Sequence, residues 1–460
     1  MLPELFLTRM QSLLGEDYSA FTASLEQDAV RALRVNTCKI SETDLKEALG
    51  ETLIPISYAA DGFLFDAEGI GNHPLHHSGA FYVQDPGAMA TLHALDIQKG
   101  WRVADFCAAP GGKSSQLSAY IGEEGFLLSN EINHARCKTL AGNLERLGCR
   151  NVLLTNADSG SIASWFSAYF DLVLVDAPCS GEGMFRKHEH AVTEWSEDNV
   201  LACAKKQVEI LDHAAKTVAD GGYLLYSTCT FSPEENERNV DAFLTRHPAF
   251  EVVEVAPSLK SATADGIAFE GASHPEALRM TRRFYPHVSL GEGQYIALMR
   301  KKGEGDTARV LYKDTAQPLS KDDRRIVEAF LKDLLTPEAC KRVLADGVLF
   351  KHKENVFIRS HRIPVPPYGA YMPGVALGAL VKGRVEVHHQ FFSAYGTDFV
   401  RRLELRSDDA RVSRYLRGET FECDLPNGYA VLLVHGCALG GVKVVNGIAK
   451  NHYPKGLRLH

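Results

Sequence analysis

Two cysteines follow strand-like apolar runs and are the residues best suited to covalent chemistry. Cys179 follows FDLVLVDAP and Cys229 ends GGYLLYSTC, and Asp176 lies three residues before Cys179. The thiolate is the nucleophilic form of cysteine, and a free thiol with a pKa of about 8.5 needs help from its surroundings to reach it. A thiolate that adds to C6 of a pyrimidine makes C5 able to attack an electrophilic methyl group, and a nearby carboxyl group would stabilise that adduct. Pyrimidine alkylation is therefore the chemistry these residues suggest.

A glycine-rich loop after another strand-like run is a candidate cofactor site. The segment from Asp105 to Ser115, DFCAAPGGKSS, precedes a helical stretch, so backbone N–H groups and a helix N-terminus would meet a ligand there. A phosphate-binding P-loop needs glycine five residues before Gly112, where this chain has Cys107. ATP or GTP binding is thereby disfavoured, and a nucleoside cofactor is the alternative.

Two acidic residues stand at the ends of the next two strand-like runs. Glu131 lies 19 residues after Gly112, near the spacing of a ribose-binding acid in dinucleotide folds. Asp158 follows the third run and could accept a hydrogen bond from an adenine amino group. The alternative reading makes both residues helix caps.

The elements that must position these residues alternate between strand-like and helix-like. Strand-like WRVADFCAA, GFLLSNE, NVLLTNAD, FDLVLVDAP and GGYLLYSTC are separated by helix-like stretches near residues 114–121, 135–147 and 200–218. Such alternation predicts a parallel α/β sheet covered on both faces, with ligands beyond the carboxyl ends of its strands. Both thiols and the glycine loop should therefore open onto one crevice.

The remainder of the chain indicates further domains. We predict an N-terminal α/β unit at 1–75, the sheet domain at 76–300, a connecting α/β domain at 301–380 and a β-rich domain at 381–460. In the last two, KDDRRIVEAFLKDLL is helix-like, and GVLFKH, NVFIRS, YAVLLVHG and GVKVVNGIAK are strand-like.

Composition and charge narrow the function classes. The 460 residues are 45% hydrophobic and 23% charged, which excludes a disordered chain or a fibre. Apolar stretches are too short for a membrane span, and the ten cysteines form no C-x-x-C, so we expect a cytoplasmic protein without metal or membrane. Residues 1–300 carry 24 Lys and Arg against 40 Asp and Glu, whereas 301–460 carry 26 against 18. A basic C-terminal part on an acidic body is one way to build a polyanion-binding module.

Three motifs in order carry a family resemblance. CAAPGGK, DAPCSGEGMFRK and YSTCTFSPEENE together resemble the RNA cytosine-C5 methyltransferases of the Sun family, which use S-adenosyl-L-methionine. The C-terminal extension resembles that of bacterial RsmF-type enzymes, which act on 16S rRNA of the small subunit and end in a PUA-like domain. The resemblance implies a class I methyltransferase fold, Rossmann-like with a seven-stranded sheet, between a small N-terminal α/β RNA-binding unit and a C-terminal β-rich PUA-like domain.

The resemblance also assigns roles residue by residue. Cys229 would be the nucleophile and Cys179 would help to release the product, with Asp176 and Lys113 as further catalytic residues. Asp176 would face both cofactor and cytosine, Glu131 would hold the ribose and Asp158 the adenine end. The methionine part of the cofactor would lie on the loop residues Cys107, Ala108, Ala109, Pro110, Gly111, Gly112 and Lys113.

RNA contacts are predicted at six positions, because a stacked cytosine must be single-stranded or extruded to be methylated. These are Arg34, Asn36, Tyr82, Gln84, Arg186 and Lys187. A packed aromatic is the alternative for Tyr82, and a solvated charge pair for Arg186 and Lys187. Basic patches that could bind phosphates are Lys301-Lys302, Arg324-Arg325, Arg401-Arg402 and Arg411, Arg414 and Arg417.

Three other functions remain open at this point. The same chemistry could act on tRNA rather than rRNA, the chain could be a non-catalytic RNA-binding assembly factor, or it could be an NTPase. The presence of both cysteines and the three acids argues against the second, and the missing first glycine against the third. We expect a monomer that acts on small-subunit ribosomal RNA.

Overall fold

The computed structural model describes residues 2–360 and 363–459. Their strands form four sheets and one short two-stranded pair, Phe166–Ser167 with Arg309–Val310. No helix in this part of the chain combines the length and the apolarity that crossing a membrane requires. The helices are Glu4–Leu14, Tyr18–Leu25, Glu42–Leu49, Pro74–His77, Pro86–Ala90, Gly112–Ile121, His134–Arg146, Ser159–Trp165, Glu189–Glu194, Glu197–Thr217, Glu237–Arg246, Pro257–Ser261, Pro275–Met280, Lys321–Leu334, Pro337–Asp346, His389–Tyr395 and Ala410–Leu416.

The central sheet contains the five parallel strands that the apolar runs predict. In spatial order they are Val152–Thr155, Phe126–Asn130, Arg102–Asp105, Phe170–Asp176 and Val218–Thr228. Their residues are almost all buried, as expected for strands covered by helices on both faces. Functional residues at their carboxyl ends therefore share one edge of the sheet.

Two antiparallel strands complete the seven-stranded class I arrangement. Gln294–Lys301 pairs with Val218–Thr228, and Phe250–Val252 pairs with the far side of Gln294–Lys301. Short strands extend the sheet to ten, because Arg282–Phe284 and Ala264–Asp265 add to one end and Ala370–Pro373 pairs with Val152–Thr155 at the other. The predicted fold class is confirmed, and the strand at 370–373 is an addition that the sequence pattern did not indicate.

An N-terminal sheet precedes the central one. Its strands, in order, are Ile54–Ile56, Ala59–Leu64, Ala32–Val35 and Phe81–Val83. The last of these lies beyond residue 75, so the N-terminal sheet reaches past the predicted domain boundary. The inner strand Ala32–Val35 is paired on both sides.

Two five-stranded sheets follow the central domain. The connecting sheet is Gln317–Pro318, Gly347–His352, Asn355–Ser360, Val375–Val381 and Arg384–Val387, and the C-terminal sheet is Arg402–Leu405, Gly428–Val434, Cys437–Val445, Ile448–Asn451 and Phe421–Glu422. The single strand predicted for GVKVVNGIAK is wrong, since Asn446 and Gly447 adopt positive φ values and turn it into a hairpin. Asn-Gly is a strong sequence signal for that turn.

The N-terminal and C-terminal sheets share one hydrophobic core. Leu33 and Phe81 belong to the same buried cluster as Leu432 and Leu439 of the C-terminal sheet. Polar contacts cross the same interface, since the Tyr453 hydroxyl lies 3.2 Å from Nδ1 of His77. The two ends of the chain are therefore one packed unit.

We predict that Gly79→Ala lowers the melting temperature much more than Gly69→Ala. Both glycines have left-handed φ values, +72° and +68°, so both variants incur a backbone cost of about 1–2 kcal/mol. A Cβ atom on Gly79 would also lie 2.1 Å from the Arg146 carbonyl oxygen, at the end of the helix beneath the N-terminal sheet, whereas one on Gly69 meets nothing within 4 Å. Thermal denaturation of the two variants measures the difference, and equal losses would contradict the close packing at Gly79.

Candidate active site

The two cysteines meet because their strands are parallel neighbours. Ser227 of Val218–Thr228 pairs in register with Asp176 of Phe170–Asp176, so the loops that follow start side by side. The sulfur atoms of Cys179 and Cys229 lie 3.1 Å apart, and the Cys229 backbone N–H donates to the Cys179 sulfur at 3.3 Å. Both residues are partly exposed free thiols. The predicted meeting of the thiols is confirmed.

Glu182 ties the Cys179 loop to the Cys229 loop. Its buried carboxylate accepts hydrogen bonds from Oγ1 of Thr230 at 2.9 Å, the Phe231 backbone N–H at 3.0 Å and Oγ of Ser232 at 2.7 Å. Nε1 of Trp195 donates at 2.9 Å to Oε1, the oxygen that also accepts from Ser232. Hydrogen bonds to an ionised acceptor are among the stronger ones, so this residue fixes the spacing of the two loops.

Glu235 is a second buried brace. It accepts from the Ser180 backbone N–H at 3.0 Å, from the Ser180 hydroxyl, and from Nε2 of Gln207 at 2.9 Å. Burial raises the pKa of Glu235 to about 7, and the hydrogen bonds from Ser180 and Gln207 oppose that rise. The sequence analysis assigned no role to Glu182 or Glu235, although both lie inside the quoted motifs.

Close backbone packing also holds the Cys179 loop in place. A Cβ on Gly183 would lie 2.5 Å from the Gly293 carbonyl oxygen, and one on Gly293 would lie 2.4 Å from the Phe231 ring. The Gly183 N–H donates to the Cys229 carbonyl at 2.9 Å, and its carbonyl accepts from the Gly293 N–H at 3.2 Å. Only glycine allows these backbones to approach so closely.

The N-terminal helices pack over both loops. The Phe6 ring meets Phe185 edge-on at 4.9 Å between centroids, and the Phe21 ring meets Phe231 at 5.2 Å. Phe185 lies in the Cys179 loop and Phe231 in the Cys229 loop. The helices Glu4–Leu14 and Tyr18–Leu25 therefore cover the braced loops with one apolar cluster.

Asp176 and Lys113 form an ion pair beside the thiols. Nζ of Lys113 lies 2.7 Å from Oδ2 of Asp176, and the Ser227 hydroxyl donates to Oδ1 at 2.6 Å. Burial alone would lower the pKa of Lys113, but the charge and hydrogen bond of Asp176 outweigh it and the Cys229 sulfur adds to the effect, so the pKa is raised. The lysine therefore stays cationic and carries positive charge toward the Cys229 sulfur.

Cys179 is the thiol that keeps its proton. Its hydrogen bond with Cys229, its burial and the charge of Glu235 raise the pKa of Cys179 well above the ordinary value. A protonated Cys179 is able to donate to the Cys229 sulfur, 3.1 Å away.

The glycine loop rests on the N-terminal unit. Gly111 has φ +111°, and a Cβ on Gly112 would lie 3.1 Å from both the Tyr82 ring and Nε2 of Gln84. Arg34 donates to the Gly112 carbonyl at 3.2 Å and to Oγ of Ser115 at 2.7 Å. The start of the helix Gly112–Ile121 is thus clamped from below.

The other side of the loop is held by the helix His134–Arg146. Arg136 donates to the Ala109 carbonyl at 2.8 Å, and Asn143 donates to the Pro110 carbonyl at 2.8 Å. The Ala108 N–H donates to the Asn130 carbonyl of the neighbouring strand at 2.8 Å. Cys107, which is partly exposed, completes the predicted cofactor loop.

Asp105 has a buried carboxylate oxygen without a partner. Oδ2 accepts from Oγ of Ser114 at 2.7 Å, whereas Oδ1 accepts no hydrogen bond from the described residues. Burial raises the pKa of Asp105 to about 7. An unpartnered buried carboxylate at the start of a glycine loop suits a cationic ligand group. Asp105 is a functional candidate that the sequence analysis quoted but did not assign.

The two acids proposed for the nucleoside part lie at the ends of their strands. Glu131 is buried and accepts from the Asn133 N–H at 2.8 Å, with Arg136 3.6 Å away. Asp158 is exposed and caps the helix Ser159–Trp165 by accepting from the Ser161 N–H at 2.9 Å. The capping alternative therefore describes Asp158, and its contact with a cofactor stays a prediction.

Most of the predicted RNA contacts make internal hydrogen bonds. Arg34 and Asn36 are buried, and Asn36 donates to the Gly79 and Leu147 carbonyls at 2.8 and 2.9 Å, so neither side chain offers a free group to RNA in this conformation. Arg186 donates to Glu292, Gly291 and Ser24, with only 6% of its side chain exposed.

The other three predicted RNA contacts are partly exposed. Nζ of Lys187 lies 2.9 Å from Asp85 with a quarter of its side chain exposed, and Tyr82 and Gln84 pack under the glycine loop. RNA contacts at these positions stay predictions.

Among the described residues no group of three or more His, Cys, Asp or Glu side chains is arranged to hold a metal ion.

The sequence matches three protein-family models. Residues 92–300 match the family described as 16S rRNA methyltransferase RsmB/F. Residues 2–86 match the N-terminal domain of 16S rRNA methyltransferase RsmF, and residues 402–459 match the methyltransferase RsmF PUA domain. Residues 301–401, which lie between the matched regions 92–300 and 402–459, contain the connecting sheet.

Similar proteins and a similar structure agree with these matches. The chain is 31% identical to the ribosomal RNA small subunit methyltransferase F of Vibrio campbellii over 99% of its own length and 97% of that protein. It is 36% identical to the protein of the same name from Klebsiella pneumoniae over 65% and 63% of the two chains. A methyltransferase homolog from Pyrococcus horikoshii has a similar structure, with a TM-score of 0.58, 31% identity and coverage of 65% and 95%.

We predict that the two thiols bind phenylarsine oxide as a pair. A trivalent arsenic bridges two sulfurs only when they lie close together, as Cys179 and Cys229 do. Mass spectrometry should find one arsenical per protein, lost in both Cys179→Ser and Cys229→Ser but kept in Cys38→Ser. Gly183→Ala should weaken binding more than Gly181→Ala, because a Cβ at Gly183 would lie 2.5 Å from the Gly293 carbonyl oxygen, whereas one at Gly181 meets nothing closer than 3.9 Å and adds only the backbone strain of a φ of +73°. Retention of the arsenical in either single-thiol variant would contradict the pairing.

Proposed function

Since the chain belongs to the family of 16S rRNA methyltransferases RsmB/F and carries both flanking RsmF domains, we propose that it methylates C5 of cytosine in small-subunit ribosomal RNA through a covalent bond between Cys229 and C6. The observation that supports this most is the pair of sulfurs 3.1 Å apart beside the Asp176–Lys113 ion pair. A non-catalytic RNA-binding protein has no use for two thiols in such a place. An NTPase would need the glycine that Cys107 replaces.

The nucleophile in this proposal is Cys229. The protonated Cys179 can donate to the Cys229 sulfur, and the Lys113 ammonium supplies positive charge nearby, so negative charge is better tolerated on Cys229. Sγ of Cys229 bonds to C6 of the cytosine, and the electrons of the C5–C6 double bond make C5 nucleophilic.

Asp176 would hold the pyrimidine at its N3 and N4 edge. Its carboxylate already accepts from Lys113 and Ser227, which fixes its orientation, and a carboxylate has lone pairs left for a further donor. A proton shared at that edge stabilises the ring while C6 is bonded to sulfur.

Cys179 would act after C5 carries its methyl group. A base takes the proton from C5, the electrons of that C–H bond re-form the C5–C6 double bond, and Cys229 leaves C6 as thiolate. Cys179 stands next to the leaving sulfur and assists this release. The target base must leave its stack to reach the thiols, which costs a few kcal/mol in a duplex and less in a loop.

The glycine loop fits S-adenosyl-L-methionine. Oδ1 of Asp105, which accepts no hydrogen bond from the described residues, suits the ammonium of the methionine part. Glu131 would hold the ribose and Asp158 the adenine end. Bound there, this cofactor supplies the electrophilic methyl group.

We predict opposite covalent behaviour for the two cysteine variants. Cys179→Ala should retain attack but lose release, so it should accumulate an RNA adduct that survives denaturing electrophoresis. Cys229→Ala should form no adduct and no product. Adduct formation by Cys229→Ala alone would exchange the two roles, and none in either variant would overturn the covalent mechanism.

The substrate is tested by methyl incorporation. Purified small-subunit rRNA should accept labelled methyl groups at C5 of cytosine, which gives labelled 5-methylcytosine. tRNA at the same concentration should not be labelled. Cys38→Ala, a thiol outside the site, is the matched control and should keep full activity. Preferential labelling of tRNA would refute the rRNA assignment and leave the chemistry intact.

We predict that cofactor affinity rises with pH and that Asp105 causes the rise. The carboxyl, whose pKa burial raises to about 7, is largely protonated at pH 6, whereas an ammonium ligand binds the carboxylate and must displace that proton. Affinity should therefore increase roughly five- to tenfold from pH 6 to 7.5 and then level off. Calorimetric titration of Asp105→Asn should give weaker binding without this slope. A slope that persists in the variant would assign the proton to another group.

A further inference from the structure

Eight of the nine cations in the basic patches predicted from the sequence pair with carboxylates, and Arg402 is the exception among the described residues. Arg401 pairs with Asp333, Arg411 with Asp409, and both Arg414 and Arg417 with Glu419. The other patches predicted from the sequence are paired in the same way: Arg324 with Glu328, Arg325 with Asp322, Lys301 with Asp220 and Lys302 with Glu251. These residues carry little of the positive charge that the sequence leaves in excess there.

Two lysines of the C-terminal sheet are different. Lys443 and Lys450 lie directly opposite each other on the neighbouring strands Cys437–Val445 and Ile448–Asn451, and both are exposed. In the part of the chain that the structure describes, no carboxylate lies within ion-pair distance of either. Like charges directly opposite on paired strands are destabilising, so the protein keeps a repulsive pair at its surface.

Tyr429 holds Lys443 in this position. It is the register partner of Lys443 on the third strand, and Nζ of Lys443 lies 5.1 Å from the centre of its ring. The ring itself packs against Phe330 of the connecting domain and against His452, with centroids 6.0 and 5.4 Å away. A cation over an aromatic face is attracted without being neutralised, so the ammonium stays available to an anion.

The neighbouring hairpin of the connecting sheet adds further positive charge. Lys382 and Arg384 are exposed at the turn between Val375–Val381 and Arg384–Val387, and neither pairs with a carboxylate among the described residues. Arg384 is close enough to Tyr429 to oppose the rise in its pKa, which burial causes and Glu386 increases. Arg384 thus adds positive charge near Tyr429 from a sheet that the matched family regions do not include.

We propose that Lys443 and Lys450 bind the phosphate backbone of the RNA substrate, with Arg384 adding positive charge near Tyr429. This inference rests on the proposed function, because it takes the partner to be the RNA that is methylated. Neighbouring strands are about 4.8 Å apart, so the two ammonium groups can meet one phosphate or two successive ones. A phosphate bound between the two ammonium groups would offset their repulsion. This would explain why the protein keeps two lysines opposite each other. Lysine binds phosphate as a point charge and needs no fixed bidentate geometry.

The test compares equal losses of charge at unpaired and paired cations. Dissociation constants for protein-free small-subunit rRNA are measured over a range of salt concentrations for Lys443→Ala/Lys450→Ala and for Arg411→Ala/Arg414→Ala. Two lost phosphate contacts should weaken binding about tenfold or more and lower the slope of log K against log salt by about two. The arginine control should stay within about twofold of wild type.

A charge reversal separates binding from folding. Lys450→Glu would place a carboxylate opposite Lys443, so we expect a melting temperature equal to or above that of wild type together with weaker RNA binding than in Lys450→Ala. In steady-state assays it should raise KM for RNA and leave kcat unchanged. A variant that merely unfolds would lower the melting temperature instead, which would contradict the repulsion argument.

Two results would overturn the proposal. Unchanged affinity in the double lysine variant would mean that RNA does not bind this row, and equal weakening in the arginine control would mean that only overall charge matters. Failure of the proposed function is seen elsewhere, in the adduct and methylation assays with Cys229→Ala, whereas the binding measurements need no turnover.

Discussion

The register between two parallel strands is the constraint on which the site depends. Asp176 and Ser227 stand side by side at the carboxyl ends of Phe170–Asp176 and Val218–Thr228, so the residues after them emerge as adjacent loops. A shift of one residue would turn each side chain to the opposite face of the sheet and separate the carboxylate from the thiols. The packing of the buried hydrophobic strands specifies this register strongly. The positions of Asp176 and the two thiols are therefore set by the core.

Adjacent loops are not yet an ordered pair of thiols, and the second layer of contacts supplies that order. Glu182 and Glu235 accept backbone and hydroxyl hydrogen bonds from both loops, and Gly183 brings their backbones together. These carboxylates are buried and make several hydrogen bonds each, which is how a charge is tolerated inside a protein. The apolar cover from Phe6 and Phe21 closes the outside.

The sequence predicted the parts of the site that follow from strand order. The five parallel strands, the glycine loop and the meeting of Cys179 with Cys229 depend on local apolar runs and on a general property of parallel sheets. The sequence does not show which long-range partner a polar residue finds. Arg34 is a residue type common in RNA contacts, yet its guanidinium is buried under the glycine loop. Arg401 and Arg417 of the C-terminal part pair with acidic residues, and the sequence alone does not show these pairs. The Asn446-Gly447 turn, by contrast, follows from a local sequence signal for a hairpin.

The N-terminal and C-terminal sheets share one hydrophobic core, so the first and last domains of the chain are packed together and are not independent units. Leu33 and Phe81 belong to one buried cluster with Leu432 and Leu439, so the C-terminal sheet helps to enclose the core of the N-terminal unit. A relative that lacks this sheet would need polar side chains on the face of the N-terminal unit that the sheet covers here. Domain shuffling at this end of the molecule is therefore limited by solubility before it is limited by recognition.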